Sequence, residues 1–234
     1  MHMSQEQQSV CHDWKDIFLA TGALWTHDGD PTSPHAIVRS GLHTSRYLIT
    51  DRVAERPRLI DMAAHDIVEK LIDASIDIAS IDRIVSPAMS AITIGHSVAL
   101  RISHKTGREC FFSVVTIRGD DLESAAVFEQ TTVPRKGELC LIVEDVIITG
   151  HTNWLVSRAI QSLGARVLPC DASIVNRSGA SQIEGHDIAS AFTLDITGSQ
   201  WKPNDCPLCA AGSEAIPRAK LPQNWARLTA RRVR

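Results

Sequence analysis

The chain has 234 residues, of which 44% are hydrophobic and 22% are charged, and its formal net charge is −3. These proportions are typical of a soluble globular protein, and the length allows a substantial core in one domain with appendages. The weak negative charge gives no indication of nucleic-acid binding. No apolar run approaches the roughly 20 residues of a membrane span, and the polar N-terminus does not resemble a signal peptide. We therefore expect neither a nucleic acid nor a membrane as a partner.

Four of the six cysteines are scattered along the chain, at Cys11, Cys110, Cys140 and Cys170. Three of these four lie within apolar runs, as reduced core cysteines do. Structural disulfides are rare in cytosolic proteins. The pattern therefore predicts a cytoplasmic enzyme without structural disulfides.

Residues 1–56 are predicted to form a helix and a small hood. Residues 13–23 have the apolar spacing of an amphipathic helix, with Trp14 and Phe18 on the apolar side. Residues 26–34 are rich in Asp, Gly, Pro and Ser and predict a loop. Residues 36–50 contain two short apolar strands around a polar bend, which indicates a hairpin.

Residues 57–200 alternate between helix and strand patterns. A helix begins at Pro57, which suits a first helical turn. Strand patterns follow at residues 81–85, 109–116, 139–147, 167–175 and 192–196. This alternation predicts an α/β fold, a single domain with a central, mostly parallel sheet flanked by helices. Residues 201–234 are assigned to a C-terminal tail.

The most informative stretch covers residues 139–163. An apolar run ends in Glu144 and Asp145, a Thr-Gly-His-Thr turn follows, and helical spacing then begins. A strand that is apolar on both faces belongs in a parallel sheet covered by helices, and the turn after it lies at the ligand-binding edge. Backbone N–H groups there suit a phosphate, with the Thr149 and Thr152 hydroxyls as further donors. The two acids suit a ribose diol or a metal ion.

This stretch resembles the phosphoribosyl pyrophosphate (PRPP) signature of the type I phosphoribosyltransferases. The resemblance implies that the two acids hold the ribose hydroxyls and that residues 149–152 wrap the 5′-phosphate. Two positions depart from the family pattern: Ile148, where many members have Thr, and His151, where Gly or Lys is more usual. The PRPP-binding residues predicted here are Glu144, Asp145, Val146, Ile147, Ile148, Thr149, Gly150, His151 and Thr152.

A second turn, Ser-Pro-Ala-Met-Ser at residues 86–90, also follows a strand. It resembles the pyrophosphate loop of the same family, which is commonly Gly-Pro-Ala-x-Gly. Ser86 and Ser90 replace both glycines, and we expect them to crowd the backbone where several N–H groups must converge. The residues of this loop predicted to bind PRPP are Pro87, Ala88, Met89 and Ser90.

The hood contains Gly-Ala-Leu and, further on, a basic residue followed by Ser-Gly-Leu-His-x-Ser-x-Tyr. This order resembles the N-terminal hood of the orotate phosphoribosyltransferases, although the loop at residues 25–35 is longer than usual. Asn-Arg-Ser-Gly at residues 176–179 resembles the Asp-Arg-x-x-Gly of that family, whose arginine pairs with the orotate carboxylate. The resemblance implies orotate and PRPP as substrates, magnesium as cofactor and a homodimer. It also implies that orotate is bound by Arg39, Tyr47, Thr149 and Arg177.

Residues 117–138 occupy the position of the mobile catalytic loop of the family, which usually brings basic residues over the pyrophosphate. Here Arg118 is followed by no base until Arg135. The acids Asp120, Asp121, Glu123 and Glu129 lie between them. We therefore expect slow catalysis, with catalytic roles for Asp145, Glu144 and Arg118.

The tail contains Cys206 and Cys209 in a Cys-Pro-Leu-Cys sequence. Two cysteines supply half of a tetrahedral zinc site, no second pair lies near them in the sequence, and His186 does not complete the site by itself. Similar endings occur in a bacterial branch of the orotate phosphoribosyltransferases. The sequence leaves open whether this pair binds a metal.

The resemblance predicts an orotate phosphoribosyltransferase of pyrimidine biosynthesis. Two alternatives stay open from the sequence. One is a divergent phosphoribosyltransferase for another base, because hoods vary within the fold. The other is a catalytically weak regulator that binds PRPP or a nucleotide, in line with the acidic loop and the two replaced glycines.

Overall fold

The computed structural model describes residues 12–119, 124–194 and 197–230, and it begins with helix α1 (Trp14–Ala20). The Asp13 carboxylate caps this helix by accepting the Asp16 N–H at 3.1 Å. Trp14 and Phe18 are buried on its inner face, as predicted. The helix ends three residues earlier than expected, where the backbone N–H of Thr21 donates to Leu19 and Ile17.

The hood contains four short strands rather than one hairpin. They are followed by the short helix α2 (Asp51–Ala54), and the strands are β1 (Leu24–Thr26), β2 (His35–Ile37), β3 (His43–Thr44) and β4 (Arg46–Leu48). Strand β2 pairs with β3, whereas β4 turns away and pairs with β1, both antiparallel. The prediction of a single strand after the bend is wrong, because the chain bends after Thr44 and forms two strands, β3 and β4. The Thr44 hydroxyl donates to the Arg46 carbonyl at 2.7 Å and accepts the Arg46 N–H at 3.1 Å.

The core alternates helices and strands as expected. Its elements in chain order are α3 (Pro57–Asp73), β5 (Arg83–Pro87), α4 (Ile92–Thr106), β6 (Phe111–Arg118), β7 (Ala125–Val127), β8 (Leu139–Ile147), α5 (His151–Ser162), β9 (Arg166–Asn176), β10 (Gln182–Ile183) and β11 (His186–Thr193). Short 3-10 turns add Ile78–Ser80, Thr197–Ser199 and Pro203–Asp205. The last core strand thus begins six residues before the predicted range 192–196. Asp195 and Ile196 lie outside the described residues.

The main sheet has the strand order β10-β11-β9-β8-β5-β6-β7. The five inner strands are parallel, and the edge strands β10 and β7 are antiparallel to their neighbours. The predicted α/β fold with a mostly parallel sheet is confirmed. Strand β7 was not predicted, because the apolar pattern of residues 117–138 is loose.

Helices cover both faces of this sheet. Strand β8 alternates its apolar side chains between the two sides, with Leu141 and Val143 in one core cluster and Cys140 and Ile142 in the other. Helices α1, α3 and α4 pack on the first side, and α5 packs on the second through Val156 and Ile160. This two-sided burial places the ends of the inner strands, rather than their faces, at solvent.

The C-terminal tail shares a sheet with the hood. Its elements are β12 (Gln200–Trp201), α6 (Pro207–Ala210), β13 (Ala215–Ile216) and α7 (Pro222–Thr229). The four-stranded order is β12-β3-β2-β13, so two hood strands lie between two tail strands. The Trp25 indole N–H also donates to the Leu228 carbonyl at 2.9 Å. The predicted boundaries at 56/57 and 200/201 stay predictions, but hood and tail fold as one layer.

The apolar core of this layer is separate from that of the main sheet. It contains Trp25, Ala36, Ile49, Ile216, Ala219, Trp225 and Leu228. None of the helices in the described part of the chain has the length and apolar character needed to cross a lipid bilayer.

Candidate functional site

Three loops that follow inner strands meet at one edge of the main sheet. They follow β5, β8 and β9, which are neighbours in the sheet. The pairing of Ile147 with Asn176 brings the ends of β8 and β9 to the same level. Carboxyl ends of parallel strands are where ligands bind in open α/β sheets. This edge contains most of the residues predicted from the sequence.

Asp145 connects two of these regions. Its Oδ2 atom accepts a hydrogen bond from the Thr50 hydroxyl at 2.6 Å, and its Oδ1 atom accepts one from the Ser90 hydroxyl at 3.0 Å. Thr50 ends the hood, and Ser90 lies in the loop after β5. The Asp145 carboxylate therefore links the hood, strand β8 and the loop after β5. Both carboxylate oxygens of Asp145 therefore accept a hydroxyl hydrogen bond.

Glu144 faces the other side of the strand, because successive residues of a strand point in opposite directions. Its carboxyl group interacts with Thr152, and Asp171 is a nearby charge. Burial, followed by the charge of Asp145, raises the pKa of Glu144 to about 8, although the hydrogen bond with Thr152 acts in the opposite direction. The two acids predicted to act together on one ribose therefore have different environments.

The turn after β8 has the features of an anion site. Gly150 has φ +77°, and a Cβ atom there would lie 2.5 Å from Ile183 Cγ2. Helix α5 begins at the next residue, and no side chain caps its N-terminus. Thr149 is exposed, and its hydroxyl oxygen accepts the His151 N–H at 3.4 Å. Free N–H groups at a helix N-terminus suit a phosphate.

The remaining residues predicted in this turn differ in exposure. Ile148 is 51% exposed and His151 is also exposed, with its ring stacked on Trp154 at 5.9 Å between centroids. Ile147 is 1% exposed and part of the core, and its carbonyl accepts the Arg177 N–H at 2.8 Å. Val146 is half-buried against the core. Ile147 is therefore available to a ligand only through its backbone.

The loop after β5 accommodates both serines. Ser86 is fully buried in space left by Gly95 of α4, where an added Cβ would lie 1.9 Å from the Ser86 Oγ atom. Ser90 is exposed and its hydroxyl binds Asp145. Between them, Pro87 is buried, the Ala88–Met89 peptide is cis, and Met89 is 83% exposed. The expected crowding is relieved by a missing side chain on the facing helix.

Arg177 and Tyr47 lie close together although they are distant in the sequence. Burial lowers the pKa of Arg177, and the neighbouring Tyr47 opposes that change. Burial likewise raises the pKa of Tyr47, with Arg177 acting against it. The Arg177 Nε atom is buried and has no hydrogen-bond partner among the residues that the structure describes. A buried guanidinium with an unpaired N–H is suited to a ligand carboxylate.

Several known proteins with similar sequences are named orotate phosphoribosyltransferase. The orotate phosphoribosyltransferase of Caldicellulosiruptor saccharolyticus is 28% identical over 178 residues, which are 76% of this chain and 84% of that protein. The orotate phosphoribosyltransferase of Thermotoga petrophila is 28% identical over 201 residues, which are 86% of this chain and 94% of that protein. No family model matches the chain.

A solved structure has a similar fold. The orotate phosphoribosyltransferase from Aeropyrum pernix superposes with a TM-score of 0.55 at 19% identity, covering 76% of this chain and 92% of that one. The chain is therefore similar in sequence to orotate phosphoribosyltransferases over about three quarters or more of its length. It has the type I phosphoribosyltransferase fold, as predicted.

Two arginines predicted for this site, Arg39 and Arg118, make no contact with Asp145 in the described residues. Arg39 is exposed in the turn between β2 and β3, and its side chain has no hydrogen bond or ion pair within residues 12–119, 124–194 and 197–230. Arg118 ends β6 and forms an ion pair with Glu129. Asp120, Asp121 and Glu123 lie outside the described residues. Neither arginine is positioned at the sheet edge by a contact of its own.

Two further residues of the site were not found from the sequence. Thr50 contacts Asp145 across 95 positions of the chain, and only its place before α2 could have marked it as a polar cap. Gly95 is the fourth of the 15 residues of α4, and a glycine within a helix is unfavourable. An interior helix glycine opposite a serine-containing loop was the available signal.

Proposed function

We propose that the chain is an orotate phosphoribosyltransferase, which transfers ribose 5-phosphate from PRPP to orotate and yields orotidine 5′-monophosphate and pyrophosphate. The observation that carries the proposal is Arg177, whose buried and unpaired Nε atom lies beside Tyr47 in the described part of the chain. Orotate differs from uracil by a carboxylate, the group that an arginine binds best. The names of the relatives at 28% identity support the same base.

The three loops of the sheet edge divide PRPP between them in this proposal. The 5′-phosphate binds the N–H groups at the start of α5 and the Thr149 hydroxyl. The ribose hydroxyls bind Asp145 and Glu144. The pyrophosphate binds the loop at residues 87–90, where the Ser90 hydroxyl is already directed at Asp145. Thr50 links this arrangement to the hood that covers the base.

The reaction breaks the bond between ribose C1 and the pyrophosphate oxygen and forms a bond from C1 to a ring nitrogen of orotate, whose N–H proton passes to the released pyrophosphate or to water. Pyrophosphate leaves with the electron pair, so positive charge develops on the ribose. The Asp145 carboxylate, held by Thr50 and Ser90, stabilises that charge without having to reorient. Arg118 and Arg39 are the proposed partners of the departing anion.

Magnesium fits this site as an ion brought with the substrate. No cluster of three His, Cys, Asp or Glu ligands surrounds Asp145 in the described residues. Mg²⁺ commonly binds one or two carboxylates and several phosphate or water oxygens. Asp145 would hold it, and when bound it would neutralise part of the pyrophosphate charge.

A catalytically weak regulator is the second candidate. The observation that favours it is the ion pair between Arg118 and Glu129, which occupies the one base near the start of the loop. A site of this kind would bind PRPP and turn it over slowly. A divergent enzyme for another base is the third reading, and Arg177 argues against it.

Assembly and location remain predictions. We propose a homodimer, as the resemblance implies. Light scattering measures the mass directly. The cytoplasmic location is proposed from the reduced state expected for the core cysteines, three of which are buried in this structure.

The proposed function is tested by incubating the chain with PRPP, Mg²⁺ and one base at a time from orotate, uracil, adenine and hypoxanthine. We expect a nucleotide product and stoichiometric pyrophosphate with orotate, and at least a 100-fold lower kcat/KM with uracil, because the charged partner of Arg177 is absent. Efficient turnover of adenine or hypoxanthine would overturn the assignment of the base.

A further inference from the structure

Four metal-binding side chains converge where the tail meets the hood. One ligand atom from each of His35, His43, Cys206 and Cys209 lies within 4.8 Å of all the others. His35 Nε2 is 3.6 Å from Cys206 Sγ and 3.5 Å from Cys209 Sγ. His43 Nδ1 is 3.2 Å from Cys209 Sγ and 2.9 Å from His35 Nε2. The cluster is separate from the sheet edge that contains Asp145.

Secondary structure positions each pair. His35 belongs to β2 and His43 to β3, and Ile37 pairs with His43 across these strands. Residues 35 and 37 share a face, so both imidazoles lie on the same side of the small sheet. Cys206 precedes α6 and Cys209 lies one turn later, which brings their sulfur atoms to one end of that helix.

The surroundings of His35 fix which ring nitrogen faces the cluster. The Ser213 hydroxyl donates to the Ser33 carbonyl at 2.6 Å. It must therefore accept from His35 Nδ1–H, which lies 2.8 Å away. The lone pair of the neutral ring is then on Nε2, which faces the cysteines. A histidine ligand whose other N–H is held by an oxygen acceptor is the usual arrangement in metal sites.

The distances agree with a tetrahedron of ligands around one ion. With Zn–N of about 2.0–2.1 Å and Zn–S of about 2.3 Å, tetrahedral edges are about 3.4 Å between nitrogens and about 3.6 Å between nitrogen and sulfur. Of the four separations given above, the three between a nitrogen and a sulfur lie within roughly 0.4 Å of the tetrahedral value. The fourth, between the two imidazoles, is the length of a hydrogen bond, which does not explain why both sulfurs lie beside ring nitrogens.

We propose that His35, His43, Cys206 and Cys209 bind a zinc ion in a closed site that fastens the C-terminal tail to the hood. Two thiolates and two neutral imidazoles form a common structural zinc set, and four protein ligands leave no position for a substrate. The two thiols release their protons on binding. Cys206 and both histidines are buried, and Cys209 lies at the solvent side.

Such an ion would stabilise the layer that positions the base-binding hood. The ligands from β2 and β3 flank the turn with Arg39, and the tail beyond α6 contributes Ile216 and Trp225 to the hood core. Tyr47 packs on Trp225 with ring centroids 6.2 Å apart. The zinc site therefore acts on hood stability and does not take part in the chemistry at Asp145.

The test is zinc binding by the full chain, prepared under reducing conditions and dialysed against zinc. The variants are Cys209→Ser, which changes an exposed ligand and so leaves packing intact, and Cys110→Ala, a buried cysteine outside the cluster, as the matched control. We expect about one zinc ion per native chain and per Cys110→Ala chain. Zinc affinity should fall more than about tenfold in Cys209→Ser, since even outer partners of metal ligands account for such a factor.

Two further measurements make the result independent of activity. Cobalt in place of zinc should give the thiolate charge-transfer band and the intense visible bands of a tetrahedral site in the native chain. A chelator should lower the melting temperature of the native chain and of Cys110→Ala, but not that of Cys209→Ser. Absence of zinc uptake by the reduced native chain, or undiminished zinc affinity in Cys209→Ser, would overturn the proposal. A Cys206–Cys209 disulfide in a chain that takes up no zinc after reduction would replace it with a redox pair.

Discussion

At the scale of single residues, the site consists of charged groups whose partners are only partly supplied by the protein. Asp145 has hydroxyl donors on both oxygens, whereas Arg177 has a buried Nε atom without a partner in the described chain. The raised pKa of Glu144 favours the protonated form of its carboxyl group. Each of these unequal environments leads to a separate measurement.

Arg177→Ala should weaken orotate binding much more than PRPP binding. A partly buried charge pair that is broken from one side typically costs about 2–5 kcal/mol, which is a loss of at least roughly 30-fold in affinity. Titration calorimetry with orotate and with PRPP measures both affinities. Arg101→Ala is the matched control, because Arg101 pairs with Asp61 on the surface of the core. Equal losses for both substrates would make Arg177 a structural residue.

Glu144 should make the stability of the ligand-free chain depend on pH. Its pKa is raised from the ordinary 4.5 to about 8, so the folded chain holds a proton that the unfolded chain has lost between these values. The unfolding free energy should therefore fall as pH rises through this window, by at most about 1.4 kcal/mol per pH unit. Glu144→Gln should remove that slope. Urea unfolding at several pH values decides it, and identical slopes in both chains would contradict the assigned pKa.

At the scale of secondary-structure elements, the loop after β5 and the end of β6 are each shaped by a neighbouring element. The loop after β5 depends on the missing side chain of Gly95 in α4. The β6–β7 hairpin holds Arg118 against Glu129, and Thr116 also binds that carboxylate at 3.1 Å. The loop after β5 therefore depends on space in α4, and the Arg118 side chain is held by an acidic neighbour.

Gly95→Ala should destabilise the chain although alanine favours helices. The added Cβ would meet Ser86 Oγ at 1.9 Å and Phe112 Cε2 at 2.8 Å, and overpacking of this kind costs about 1–3 kcal/mol. Adding Ser86→Gly should restore part of the loss, because it removes the closer contact. Gly198→Ala is the control, since no atom lies within 4 Å of its added Cβ. A Gly95→Ala chain as stable as the native one in urea would refute this packing.

Glu129→Gln should raise turnover by releasing Arg118. The pair is exposed, so breaking it should change stability little, and the expected gain is up to roughly fivefold in kcat. Arg118→Gln should lower kcat in the same assay. If both substitutions leave kcat unchanged, Arg118 has no role in catalysis.

The sequence predicted the parts of the fold that rest on local patterns. The two-sided apolar run of β8 and the helical spacing after Gly150 located the turn between β8 and α5. The order of strands and helices predicted the parallel sheet. The break between β3 and β4 was missed because it depends on two hydrogen bonds of one Thr44 side chain. Contacts such as Thr50 with Asp145 bridge 95 positions, and no periodicity records them.

At the scale of the whole molecule, the active-site edge lies between a core sheet and a separate hood-and-tail layer. Asp145 connects the two through Thr50, and the tail contributes two strands and α7 to the hood. The sequence assigned hood and tail to opposite ends of the chain. Their union in one sheet brings Trp225 of the tail against Tyr47 of the hood.

The central claim is that Asp145 is the catalytic centre of an orotate-specific transfer, and Asp145→Asn tests it most directly. Asparagine keeps the shape and one acceptor for Thr50 or Ser90, so the melting temperature should stay near that of the native chain. The rate of orotidine 5′-monophosphate formation from PRPP and orotate should fall by at least about 100-fold, because the negative charge beside the ribose is lost. Near-native turnover in Asp145→Asn, or a native chain that binds PRPP tightly and converts no base, would contradict the account.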